Sequence, residues 1–311
     1  MDLAKDFKLS YEALKKNKGI IIPSVIVQVI WILAIILILL YSGMAQGLLN
    51  YAKSQEKLKE QGSVSGINPI PYGSQYPNWK NLESKITVEN IVILFAIMFL
   101  LLTMSFYVTC LNLVLISLIV YDKKWDFKTA LNIAKGVFLR YSWFCLLFAL
   151  IVAVFICIAV SMFFLSIPLL KVNIVLGILS IIITFILFLA SFFYLGIRMT
   201  FALPYLFLEN KTAFNTLKES FAITKNRFKE TAFVFLIFTG INVGFGFMGN
   251  SFFGNGLELF TAIYNGKFAI VAVLFLLFCF ASIIVKIFSH LFIFYSYVDF
   301  KKSGISKGKS D

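Results

Sequence analysis

Six apolar runs separated by polar segments dominate the hydropathy pattern of the chain. They cover residues 19–41, 91–121, 141–169, 172–208, 231–248 and 268–298. About 20 helical residues cross the hydrocarbon core of a bilayer, so the first, third and fifth runs each fit one crossing. The second, fourth and sixth runs are longer than one crossing requires. We expect them to tilt, bend or continue beyond the bilayer as partly buried cytosolic segments.

The continuous character of these runs predicts helices, because the strands of a membrane barrel alternate apolar and polar residues. Composition points to the same class: 60% of residues are hydrophobic, only 14% are charged, and the mean hydropathy is +0.91. A soluble globule of this composition would expose far too much apolar surface. The predicted fold is therefore an all-α, polytopic helical membrane protein with about six transmembrane helices.

A short basic amphipathic segment precedes each pair of runs. We call these segments leaders 1, 2 and 3; they cover residues 6–14, 126–134 and 213–221. Their apolar side chains recur at helical spacing, as Phe7, Tyr11 and Leu14 do, while lysines occupy other faces. This pattern predicts interfacial helices, with Asp126 and Thr212 as N-caps. The alternative is that the leaders are short cytosolic connectors that are amphipathic by coincidence.

The recurrence of leader and hairpin predicts three repeats of one unit, an interfacial helix followed by a transmembrane hairpin. Their expected bounds are 1–122, with a long extracytoplasmic loop at 42–90, then 123–209 and 210–300, followed by a basic cytosolic tail at 301–311.

Cations are distributed unequally between the two sets of connecting segments. Nineteen lie before the first run, after the second, after the fourth and after the sixth, against seven in the other segments. The positive-inside rule then places both termini in the cytosol and the protein in the cell membrane. The net charge of +13 is therefore interpreted as attraction to anionic lipid headgroups rather than to nucleic acid, because no nucleic-acid recognition motif accompanies the cations.

Four polar side chains lie within the long even-numbered runs, shortly before the acid that follows each run. They are Asn112, Arg198, Lys286 and His290. A charge at the bilayer centre costs at least ~2.5 to 3.5 kcal/mol, so such residues are candidates for a site that binds lipid phosphate or an anionic solute. Snorkelling to headgroup level and simple helix–helix hydrogen bonding are the competing explanations.

The end of the fourth run and leader 3 carry a distinctive series of residues. The series consists of Pro204, Glu209, Ala213, Leu217, Ser220, Phe221, Lys225, Arg227 and Phe228. It resembles a loose prokaryotic group of multi-pass membrane domain families of unknown function, and is similar to the membrane domain of some bacterial glycerophosphodiester phosphodiesterases. The resemblance carries no catalytic residue to this chain, since a sequence with one histidine lacks the metal-binding and acid–base set of those enzymes.

No constellation of residues indicates an enzyme, a cofactor or a metal site. The sequence therefore predicts a non-enzymatic integral membrane protein that engages anionic lipid in membrane organisation or complex assembly, as a homo-oligomer or with other membrane proteins. The alternative is a transporter, channel or lipid-translocating protein with a pathway between the hairpins. Besides the four polar residues within the runs, the candidate lipid contacts are Lys128, Lys135, Lys218, Lys225 and Arg227.

Overall fold

The computed structural model describes residues 2–41, 88–123, 126–253 and 268–307. All regular structure in these ranges is helical, which confirms the all-α prediction. The α-helices are α1 (Leu3–Lys16), α2 (Ile22–Tyr41), α3 (Val88–Val120), α4 (Phe127–Val172), α5 (Ile174–Met199), α6 (Ala202–Leu208), α7 (Ala213–Asn226), α8 (Phe228–Phe253) and α9 (Phe268–Lys307). A 3-10 helix, Lys18–Ile21, joins α1 to α2.

Five helical segments in the described ranges are long and apolar enough to cross a membrane. They are Phe95–Val120, Phe127–Val172, Ile174–Leu208, Phe228–Asn250 and Val273–Ser303. A sixth is obtained when the consecutive helices Leu3–Lys16 and Lys18–Ala34 are counted as one span. The chain is therefore a multi-pass membrane protein, as its hydropathy predicts.

The structure differs among the three leaders. Leader 1 lies in α1 and leader 3 in α7, each a separate 14-residue helix. Leader 2 instead begins α4, which continues without interruption for 46 residues. The three-repeat division stays a prediction, and most of the loop at 42–90 lies outside the described residues.

Two capping predictions have different outcomes. The Thr212 side chain accepts a hydrogen bond from the Asn215 amide at 3.5 Å and caps α7. Asp126 directly precedes α4 in an extended conformation, but its side chain forms no capping hydrogen bond.

Similar turns follow the first two long even-numbered runs. Asp122 follows α3 with φ 53°, and Asn210 follows α6 with φ 58°. Among non-glycine residues, Asn and Asp are the ones that adopt this left-handed conformation most readily at helix ends. In the third long run the corresponding acid, Asp299, lies within α9, which does not end there.

The described chain forms two compact units. The first comprises residues 1–20, 110–243 and 286–311. Its core contains Phe201, Tyr205, Phe292 and Tyr297, and the α3 segment from Cys110 to Ile116 is buried on all sides. A helix that is apolar all round and surrounded by protein is the expected centre of such a unit.

The second unit comprises residues 21–109 and 244–285. The Gln28 side-chain amide donates a hydrogen bond to the Cys279 sulfur at 3.6 Å. The Phe245 and Phe278 rings stack with their centroids 4.8 Å apart. These contacts join α2 and α8 to α9.

Candidate functional site

Small side chains form the buried face of each leader. Ser10 and Ala13 are buried on α1, Ala130 and Ala134 on α4, and Thr216, Ser220 and Thr224 on α7. Small residues allow helices to approach closely, and this is the usual packing device where lipid is as apolar as a protein core. The apolar face that the sequence predicts for leader 1 follows larger side chains, such as Phe7, Tyr11 and Leu14, and omits the buried Ser10 and Ala13. The spacing of small residues by three or four positions was the available signal.

Large aromatic side chains of the leaders point outward instead. Tyr11 is 58% exposed, and Phe127 and Phe214 are exposed in the same way, whereas Phe7 is half-exposed and packs one side of its ring against α9. In a soluble protein an amphipathic helix buries such residues. Here each leader has its small residues towards the protein and its aromatic residues towards the surroundings. That arrangement is typical of a helix lying at a membrane interface.

Four of the predicted lipid contacts are exposed lysines. Lys128 and Lys218 lie within leaders 2 and 3, and Lys135 and Lys225 lie just after them. None of the four forms an ion pair with a carboxylate of the described ranges, whereas Lys211 lies 3.0 Å from Glu219. Their charges are therefore not neutralised by the described carboxylates.

Arg227 differs from these lysines, because its side chain is only 17% exposed. Its guanidinium donates to the Ser303 hydroxyl at 2.6 Å and stacks over the Phe300 ring at 4.8 Å. It also lies 3.7 Å from the Glu230 carboxylate. Arg227 thus ties the junction of α7 and α8 to the C-terminal part of α9, which is a structural role.

Arg198 lies near the end of α5, against leader 3. It donates to the Phe221 carbonyl at 3.1 Å and to the Tyr194 hydroxyl at 2.8 Å. The guanidinium also stacks over the rings of Tyr194 and Phe228, at 5.0 and 5.8 Å. Its carbonyl accepts a hydrogen bond from Ser220 at 2.7 Å. The charge is therefore bound to leader 3 and is not isolated among apolar side chains.

Lys286 and His290 lie one turn apart on α9. The His290 Nδ1 atom is 2.7 Å from the Lys286 carbonyl, and the imidazole ring packs edge-on against Phe238. Lys286 itself is exposed. Asn112 belongs to the buried segment of α3. Of the four polar candidates, only Lys286 and His290 are joined by a direct contact shown here.

Glu209 organises a contact that hydropathy and residue spacing do not predict. Its carboxylate accepts hydrogen bonds from the Tyr297 hydroxyl and, at 2.6 Å, from the Lys301 ammonium. Burial by itself raises the pKa of this carboxyl, but the hydrogen bonds from Lys301 and Tyr297 and the charges of Lys301 and Lys211 outweigh it, so the pKa is lowered. The acid that follows the fourth run thereby fixes α9. The recurring acids at run ends were its sequence signal.

Two further side chains donate hydrogen bonds to the backbone carbonyls on either side of Glu209. The Tyr121 hydroxyl donates to the Leu208 carbonyl at 3.4 Å, and Arg140 donates to the Asn210 carbonyl at 3.0 Å. The segment after α6 is thus held from α4 as well as from the end of α3 and from α9. These hydrogen bonds hold the segment that precedes leader 3 against α4 and α9 within the first unit.

Comparison with known proteins identifies a family. The family model for the membrane domain of glycerophosphoryl diester phosphodiesterase matches residues 73–309. This region contains leaders 2 and 3 and all four exposed lysines. No curated protein and no solved structure matches the chain.

Proposed function

The chain belongs to the family of membrane domains of glycerophosphoryl diester phosphodiesterases, and on this premise we propose that it is a non-enzymatic membrane protein that binds anionic lipid headgroups. The binding surface consists of the exposed lysines and aromatic residues of the leaders. Its role is membrane organisation or the assembly of a complex, as a homo-oligomer or with other membrane proteins.

The observation that carries this proposal is that exposed lysines, without an ion pair to a described carboxylate, share a helix with exposed aromatic rings: Lys128 lies beside Phe127 on α4, and Lys218 lies one turn from Phe214 on α7. Aromatic rings favour the boundary between headgroups and acyl chains. Lysines next to that boundary gain about 1 kcal/mol each from an anionic surface. Four such lysines are sufficient to give a clear preference for anionic over zwitterionic lipid.

The cation distribution supports placing this surface at the inner leaflet of the cell membrane, with both termini in the cytosol. That leaflet has the negative surface potential to which a polybasic interfacial helix responds. The contacts of Arg198 and Arg227 within the protein support different roles for the two kinds of cation. In this proposal the arginines hold leader 3 in place, and the lysines bind lipid headgroups.

A quadruple variant tests the proposal: Lys128→Gln, Lys135→Gln, Lys218→Gln and Lys225→Gln. Lipid binding is measured by native mass spectrometry and by thermal shift in nanodiscs of anionic or zwitterionic lipid. We expect the preference for anionic lipid to fall at least tenfold, with all spans still inserted, because insertion depends on the apolar runs.

Two controls accompany this variant. Arginine at the same four positions retains the charge and should retain the preference. Glutamine at Lys53, Lys57, Lys59 and Lys80, which lie outside the described residues, removes the same charge from the opposite side and should have little effect. An unchanged preference in the leader variant would contradict the proposal and favour the transporter, channel or lipid-translocating alternative.

A further inference from the structure

Asp6 is a buried carboxylate in leader 1. Its side chain is 1% exposed, although it belongs to a short helix with exposed lysines on other faces. The neighbouring Phe7 packs edge-on against Phe288 and Phe292 of α9, with ring centroids 4.8 and 6.4 Å apart. Asp6 therefore lies in the contact by which leader 1 docks on α9.

The groups around Asp6 are poorly suited to a carboxylate anion. Asp299 faces it from α9, Asp2 and Lys5 from its own helix, and the Ser296 hydroxyl from α9. The Asp2 amide donates to the Asp299 carboxylate at 3.4 Å, which keeps that second acid in place. Lys5 is the only cation among these neighbours, and it is exposed.

One carboxylate oxygen of this contact, Oδ2 of Asp6, lacks a hydrogen-bond partner among the described residues. A buried polar atom without a partner is costly, and a buried carboxylate beside another carboxylate is more so. A proton on Oδ2 would remove the charge and turn that atom into a donor, for which the Asp299 carboxylate supplies an acceptor. The buried Ser296 hydroxyl acts in the opposite direction and favours the ionised carboxylate.

We propose that Asp6, Ser296 and Asp299 form a proton-binding site whose occupancy sets how tightly leader 1 docks on α9. The protonated site is uncharged at Asp6 and holds the leader firmly. The ionised site contains a buried, poorly solvated anion and loosens the contact. The inference does not depend on lipid binding by the leaders.

The electrostatic environment of Asp6 determines the pH range over which this site binds its proton. Burial is the main cause that raises the pKa of Asp6 from 3.8 to about 6, and Asp299 adds to it. Since the folded value is the higher one, docking is tightest below about pH 4, weakens as the pH rises to about 6, and is constant above that. Acidification from pH 7.5 to 5 should then strengthen docking by about tenfold.

Hydrogen–deuterium exchange of the full-length protein in zwitterionic nanodiscs tests the site. After correction for intrinsic exchange, amides of α1 should be about tenfold more protected at pH 5 than at pH 7.5. Asp6→Asn mimics the protonated carboxyl and should abolish this dependence by protecting α1 at both values. The matched control is Asp126→Asn, which removes one exposed acid from leader 2 and should leave the dependence intact. All samples contain a chelator, so divalent cations do not contribute.

A second measurement covers the case in which Asp6→Asn does not fold. Ser296 lowers the pKa of Asp6, so Ser296→Ala should shift the midpoint of the α1 transition to higher pH. Infrared difference spectra should show a protonated carboxyl group that titrates with the same midpoint. Equal protection of α1 at both pH values in the wild-type protein, or an unshifted midpoint in Ser296→Ala, would overturn the proposal. Because no anionic lipid is present, neither result bears on headgroup binding.

Discussion

Arg198 donates a hydrogen bond to the Phe221 carbonyl at 3.1 Å, so an arginine from an apolar run is bound to the last turns of leader 3. A cation among apolar side chains is tolerated when its donors are satisfied, and the Tyr194 hydroxyl accepts a second hydrogen bond from the same guanidinium. This contact explains how a positive charge is tolerated in the fourth run.

We expect Arg198→Met to destabilise the protein by about 2 kcal/mol, because hydrogen bonds to a charged group typically contribute this much. Arg198→Lys should recover only part of the loss, since an ammonium cannot stack over Tyr194 and Phe228 as a guanidinium does. Thermal unfolding in detergent is the measurement. Lys218→Gln, at an exposed site, is the control and should change the melting temperature little. Equal melting temperatures for Arg198→Met and the control would refute the structural role.

Glu209 gives a prediction for pH. Its pKa is lower in the folded protein, so its contribution to stability is present above its ordinary value of 4.5 and is lost as the pH falls below it. Glu209→Gln should therefore unfold at lower temperature at pH 7 and show a smaller further loss on acidification. Glu12→Gln, which breaks only the exposed pair with Lys8, is the matched control. Parallel pH profiles for wild type and Glu209→Gln would contradict this account.

Two glycines should respond differently to alanine. A Cβ atom at Gly177 would lie 2.7 Å from the Leu170 Cα atom, within the tight α4–α5 hairpin, whereas one at Gly240 meets no atom within 4 Å. We expect Gly177→Ala to cost about 1 to 3 kcal/mol because the backbone must move. Gly240→Ala should be neutral or slightly stabilising, since alanine is the better helix former. Thermal unfolding of both variants tests this, and a neutral Gly177→Ala would show that the hairpin can relax.

Topology can be tested directly with single cysteines at Ser65, outside the described residues, and at Ser306, near the end of α9, in a background without the four native cysteines. The cation distribution predicts that position 65 reacts with an impermeant reagent added outside intact cells and that position 306 does not. The opposite pattern would place both termini outside and move the leaders to the other leaflet.

The sequence was sufficient for the spans but not for the contacts between them. Apolar runs locate membrane helices well, because lipid requires them wherever the chain crosses; for example, the second run at 91–121 corresponds to α3 (Val88–Val120). Hydropathy does not distinguish a lipid-facing residue from a buried one, since both environments are apolar. For that reason the buried face formed by residues such as Ala130 and Ser220 was missed.

The sequence also could not show which cations are bound within the protein and which are exposed. Lys225 and Arg227 are two positions apart, and both were predicted to contact lipid. Only the structure shows that Arg227 is engaged by Ser303 and Phe300 while Lys225 is exposed. Whether a charge is neutralised within the protein depends on contacts with residues distant in the chain, which periodicity cannot reveal.

The unbroken course of α4 has a mechanical consequence. At 1.5 Å per residue its 46 residues extend over about 69 Å, from the lysines of leader 2 to the turn at Asn173. Leaders 1 and 3 are separate helices that end before the next apolar helix begins. Leader 2 has no such break, so a displacement of Lys128 or Lys135 should also move the helix that follows and the α5 helix packed against it. Of the three leaders, leader 2 is therefore the one whose movement is coupled directly to an apolar span.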